Sequence, residues 1–151
     1  MSDPAVTWQA VQAVAEALQA ITVANGYRTN AGNSVLVEQV QADPARGAVE
    51  RLSVYLDRVA RTPASLDGMA DWVLQLIVDA DVPSSRADAQ QQAHAVMADV
   101  FARFPPGGIE LPIDAGVVDV EAQTAEFLTR VDGSNASVAQ IRLQAIVRLS
   151  S

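Results

Sequence analysis

The 151-residue chain has no cysteine and no lysine, a single histidine, and only seven aromatic residues of the Phe, Trp and Tyr types. Without cysteine, disulfides, thiolate metal sites and cysteine nucleophiles are excluded. The lone His94 has no second histidine and no thiol to help it hold a metal, and its place beside an apolar helical stripe makes it a structural flank. All ten cations are Arg, set against eighteen Asp and Glu, for a net charge of −8. Such a chain has little basic surface with which to neutralise phosphates, which argues against nucleic-acid binding, sequence-specific or general, and against an anionic membrane surface. No apolar run approaches the roughly 18 residues that a membrane-spanning helix requires. The opening MSDPAVTWQA lacks the basic start and apolar block of a signal peptide, so the expectation is a soluble protein made and kept in the cytosol. No solenoid-length repeat and no low-complexity segment occurs.

Half of the residues are hydrophobic and 19% are charged, the balance of a folded domain whose core is built from Val, Leu, Ile and Ala. A chain this long buries roughly two thirds of the surface its unfolded form exposes, so one core and one domain over residues 1–151 are expected.

Trp8, Val11, Ala15, Leu18 and Ile21 recur at helical spacing after Asp3-Pro4, which predicts a first helix from about Pro4 to about Val23, stopped by Asn25-Gly26. SVLVEQV (34–40), RLSVYLDRVAR (51–61) and residues 72–80 read as strands; Leu52, Val54 and Leu56 alternate with Ser53, Tyr55 and Asp57. A second helix follows a Ser85 cap, with Ala89, Ala93, Val96, Met97, Val100 and Phe104 on one stripe, and ends at Pro105-Pro106-Gly107-Gly108. PPGGIELP then reads as a linker. A weak strand near 117–120, the strand AEFLTRV and the strongly alternating ASVAQIRLQAIVRL follow, the last two joined by a hairpin turn at Asp132–Asn135. The predicted fold is α+β, with two helices packed on one face of a mainly antiparallel sheet.

No catalytic constellation emerges. Asp79 and Asp81 could be a carboxylate pair for acid–base work or for a divalent cation, but a solvated strand end before a proline turn is the simpler reading. PPGG lacks the Lys and Ser or Thr of a phosphate-binding loop. Asn135-Ala136-Ser137 fits the glycosylation pattern, which has no meaning without export. Tyr55, Asp57 and Arg58 on the wet face of a strand are candidates for an interface, since an outward Tyr between charges is unusual. The expectation is a protein that is not an enzyme and uses no cofactor or metal.

The segment NGYRTNAG (25–32) between the first helix and the first strand resembles the Asn-Gly-Tyr-x-Thr-x-x-Gly opening of the tail terminator proteins of long-tailed bacteriophages. VDGSNASVAQIRLQAIVRL is similar to that family's closing hairpin and long last strand, and element order and length correspond over nearly the whole chain. The resemblance implies a virion protein that forms a homohexameric ring on the head-proximal end of the tail tube, ends tube growth and offers the surface that joins the head. Its partners would then be itself, the tail tube protein and a head completion or connector protein, met in the host cytoplasm during assembly. It also implies that Tyr27, Arg28 and Thr29 sit at a subunit boundary, although Tyr27 could equally cap the core of its own subunit. Six copies at −8 each carry −48, so Arg residues must lie across the joints, with Arg28 and Arg58 as candidates. A head–tail connector or tail-completion protein of similar fold, or a small-ligand-binding or enzymatic α+β domain, remain the alternatives.

Overall fold

A computed structural model describes residues 5–37, 51–61, 72–83, 89–128 and 136–149. In chain order these form α1 (Val6–Leu18), two short 3-10 turns (Val23–Asn25 and Ala31–Asn33), β1 (Val35–Val37), β2 (Arg51–Arg61), β3 (Trp72–Pro83), α2 (Ala89–Arg103), β4 (Ile109–Ile113), β5 (Gly116–Leu128) and β6 (Ala136–Leu149). The caps expected at Asp3-Pro4 and Ser85, and the turn at Asp132–Asn135, lie outside the described residues.

The six strands make one sheet in the order β1-β2-β3-β6-β5-β4. β1 runs parallel to β2, and the other four neighbouring pairs are antiparallel. The α+β class holds, but the expected arrangement is corrected: the sheet is mixed and curled into a half-barrel, not a mainly antiparallel layer with both helices on one face. The curl shows in α1, which touches β1 and β2 near one edge and β4 at the other, while α2 packs on β3, β6 and β5. Long strands twist, and bulges increase the twist locally. Here β2, β3, β5 and β6 are 11–14 residues long, and bulges interrupt the β2–β3 register between Leu56 and Arg58 and the β5–β6 register between Ala122 and Thr124.

Inside the trough, Val11, Val14 and Leu18 of α1 and Val96, Val100 and Phe104 of the α2 region meet Leu52, Val54, Leu74, Leu76, Val78, Ile141 and Leu143 of the sheet in one buried cluster. Among the described residues, Phe104 is the largest fully buried side chain. The period-2 reading of the last strand is correct: Ala139, Ile141, Leu143, Ala145 and Val147 are all buried.

Three element boundaries differ from the sequence reading. α1 ends at Leu18, not near Val23, where the chain tightens into i→i+3 bonds from Gln19, Ala20 and Ile21 N to Glu16, Ala17 and Leu18 O, and other parts of the chain bond Ala17 O and the carbonyls just beyond the helix. Arg103 Nε donates to Ala17 O at 2.8 Å, Asn25 Nδ2 to Ala20 O at 2.9 Å, and Gly32 N to Ile21 O at 2.8 Å. PPGGIELP is not a linker: its second half is β4, an edge strand that tolerates Pro112 because its outer backbone has no ladder partner among the described residues. The glycines turn the chain into it at φ +89° and +76°, and Gly107 N donates to Glu121 Oε2 at 2.7 Å. The two strands expected between 117 and 131 are one continuous β5, whose bulge at Gln123 breaks the alternation that sequence reading depends on.

Candidate interface surfaces

The NGYRTNAG segment is folded around one carboxylate that the sequence reading missed. Asp99 of α2, 2% exposed, accepts hydrogen bonds from Arg28 N at 2.9 Å, from Thr29 N at 2.8 Å and from Thr29 Oγ1 at 2.8 Å. Thr29, itself 2% exposed, also accepts from Ala31 N at 3.3 Å. Asn30 Oδ1 accepts from Val23 N at 2.8 Å, which closes the loop on its own entry. Gly26 takes the left-handed conformation at φ +92°, where a side chain would be strained. The asparagines, the threonine and the glycines are thus accounted for within the subunit.

That geometry sorts the three loop candidates. Thr29 is buried on Asp99 and Tyr27 is half-buried against the core cluster, whereas Arg28 holds the loop through its backbone and keeps its side chain in solvent. Only an acid on α2 could have signalled this, and Asp99 lies 70 residues from Thr29 with no local pattern to mark it.

Tyr55, Asp57 and Arg58 lie on β2, where the bulge at Asp57 breaks strict alternation and pairs Arg58 with Gln75. Ser53 stands opposite Asp79 and Arg51 opposite Asp81. Both aspartates are buried, which corrects the solvated strand end expected there. Gln140 Nε2 donates to Asp79 Oδ1 at 3.2 Å and to Tyr55 Oη at 3.4 Å. Farther along, Arg142 pairs with Asp57 at 3.4 Å, Gln123 Nε2 donates to Gln144 Oε1 at 2.9 Å, and Arg148 pairs with Asp119. The Arg142–Asp57 pair is about two-fifths exposed on each side, and such pairs contribute at most about 1 kcal/mol.

Burial, followed by the Asp79 carboxylate beside it, pushes the Tyr55 phenol up to about 12. A phenol that holds its proton so tightly is poorly matched to acid–base work near neutral pH. The shift has a testable sign. The folded state keeps the Tyr55 proton above the pH at which the unfolded chain loses it, so this contribution to stability is intact below the ordinary tyrosine value of 10.0 and is lost as pH rises from there to about 12. Phenolate absorbance of the folded chain should therefore show a late-titrating component that Tyr55→Phe removes; an unchanged titration in that variant would contradict the assignment.

His94 is exposed and stacks on Phe127 with ring centroids 4.3 Å apart, so it has a packing role on the surface. No group of three His, Asp or Glu side chains that could hold a metal occurs among the described residues, and none of their helices is long and apolar enough to cross a membrane.

No protein-family model and no curated protein matches the chain. Its fold does have solved counterparts. A chain from the structure titled virion of native gene transfer agent (GTA) particle aligns over 97% of this chain and 99% of its own length, with a TM-score of 0.65 and 19% identity. Another solved chain aligns over 97% of this one and 94% of its own length at 15% identity, with a TM-score of only 0.49.

Proposed function

We propose that this chain is a structural protein of a phage-like virion and, within that class, a tail terminator. Six copies form a ring on the head-proximal end of the tail tube, stop its polymerisation and present the surface to which the head attaches. The observation that carries this reading is the end-to-end fold likeness to a chain of a gene transfer agent virion, over 97% of this chain and 99% of that one. It coincides with the tail-terminator resemblance carried by the Asn25–Gly32 loop and by the closing strand. The partners are other copies of the chain, the tail tube protein and a head completion or connector protein; no catalysis, cofactor, membrane or sequence-specific nucleic acid is required.

Native mass spectrometry of the purified chain should give a species of six subunit masses, and the ring should co-sediment with assembled tail tubes. Particles made without the chain should include tails of uncontrolled length and heads without tails. Co-sedimentation with heads but not with tubes would move the assignment to a head–tail connector or tail-completion protein. A monomer that binds neither would remove the virion reading.

A further inference from the structure

The end of β2 has an unusual exposure pattern. From Asp57 to Arg61 every residue is exposed, on both faces of the strand, although the paired β3 residue Leu74 is fully buried. Beyond Val54 no strand covers the outer edge of β2 among the described residues, since β1 pairs only with Leu52, Ser53 and Val54. This free edge presents Val59, 40% exposed, between Arg58 and Arg61. Asp57 is already paired with Arg142, so the edge is locally cationic in a chain of net charge −8. Natural proteins protect such edges, and an exposed apolar residue between charges on one is the anatomy of a contact.

The complementary feature lies at the opposite edge of the sheet. A groove of about 220 Å³ runs between α1 and the end of β4, lined in part by Ala13, Glu16, Pro112, Ile113 and Asp114. It is smaller than the roughly 300 Å³ at which small-molecule sites begin, so its size suits a side chain. Glu16 and Asp114 are exposed, and neither forms an ion pair among the described residues.

The two features lie on one row of the sheet. A single row of register partners crosses the sheet from Arg61 through Trp72, Val147 and Val118 to Leu111, next to Pro112. Contacts between two different surfaces close into a ring only if successive copies are related by rotation without translation; otherwise they build a helical filament. Two different surfaces, one on each edge of the sheet, are what a ring joint of this head-to-tail type requires.

We infer that the joint between copies of this chain is made by the free end of β2 of one subunit entering the α1–β4 groove of the next. Val59 packs on Ala13, Pro112 and Ile113, Arg61 on the same strand face meets Glu16 and Asp114, and Arg58 flanks the contact. The inference rests on the ring reading and goes beyond it by naming both halves of the joint.

The test compares the wild-type chain with Arg61→Glu, Glu16→Arg and the double variant, by native mass spectrometry and thermal melting. Each single change places like charges across the joint and is expected to weaken association by about tenfold or more, while the double variant regains it. Glu16→Arg should melt as the wild type does in its monomeric form, and the two variants that lose Arg61 only slightly lower, because both sites are exposed and Arg61 gives up its place over the Trp72 ring, 5.5 Å from the centroid. In the cysteine-free background, chains carrying Val59→Cys mixed with chains carrying Ala13→Cys should be joined by a short thiol cross-linker. A wild-type hexamer whose single variants also stay hexameric and whose cysteine pair does not cross-link overturns this joint and leaves the ring reading standing. A wild-type chain that remains monomeric at every concentration removes the ring reading itself, and the joint with it.

Discussion

Asp99→Ala is expected to be among the most destabilising single changes in the described part of the molecule, by about 3–5 kcal/mol, because a lost buried acceptor leaves each donor unsatisfied at about 1–3 kcal/mol. Three donors depend on it: the Arg28 and Thr29 amides and the Thr29 hydroxyl. Water can reach the half-buried Arg28 amide more easily than the Thr29 pair, which is why the sum falls short of three full penalties. Against a total stability of about 5–15 kcal/mol, such a loss brings the domain close to its melting limit. Asp99→Asn keeps one acceptor oxygen but turns an N–H group toward either Arg28 or Thr29, so it should fall between Ala and wild type. Urea denaturation measures both. If Asp99→Ala stays within about 1 kcal/mol of wild type, the loop is not held by this carboxylate and the explanation of its composition fails.

Gly32→Ala should destabilise by a similar amount through a different cause. A Cβ at this position would lie 2.5 Å from Leu18 O, 2.7 Å from Ile21 O and 2.8 Å from Gln19 O. All three are backbone atoms at the end of α1 or just beyond it, so no side chain can swing aside. The 2.8 Å hydrogen bond from Gly32 N to Ile21 O holds the two segments at that distance. Overpacking commonly costs about 1–3 kcal/mol and sometimes more, and rigid backbone on three sides puts this case at about 3 kcal/mol, or roughly 6–12 °C in melting temperature for a chain of this length. Gly26 is the control: a Cβ there would meet nothing within 4 Å, but the backbone φ is +92°, so Gly26→Ala should cost only about 1–2 kcal/mol. Gly32 is not among the glycines at positive φ, so a loss at Gly32 no larger than that at Gly26 would mean that the α1 carbonyls move aside to admit the methyl group.

Sequence reading works where burial is periodic. Local periodicity found both helices, β2, β3 and β6, because each buries a regular set of side chains: Val96, Val100 and Phe104 at helical spacing, Ala139 to Val147 at every second position. It failed where the pattern is interrupted or too short. The bulge at Gln123 made one strand look like two, and β4, five residues with a proline and half-exposed alternation, looked like a linker. The parallel pairing of β1 with β2 and the curl that lets α1 touch strands at both edges of the sheet have no local signature at all.

The candidate surfaces divide in the same way. Sequence alone determined that the chain has no thiol chemistry, is acidic with Arg as its only strong cation, and carries a loop whose residue types demand special backbone geometry. Those follow from side-chain chemistry, which needs no fold. Only the tertiary structure decided what the loop serves: Asp99 and Thr29 are distant in sequence, and a buried carboxylate must find its donors wherever packing brings them. Likewise Arg61 and Leu111 share one row across the sheet only because the five strands from β2 to β4 are in register. Strand register is a long-range agreement among hydrophobic faces, so no stretch of the chain records it by itself.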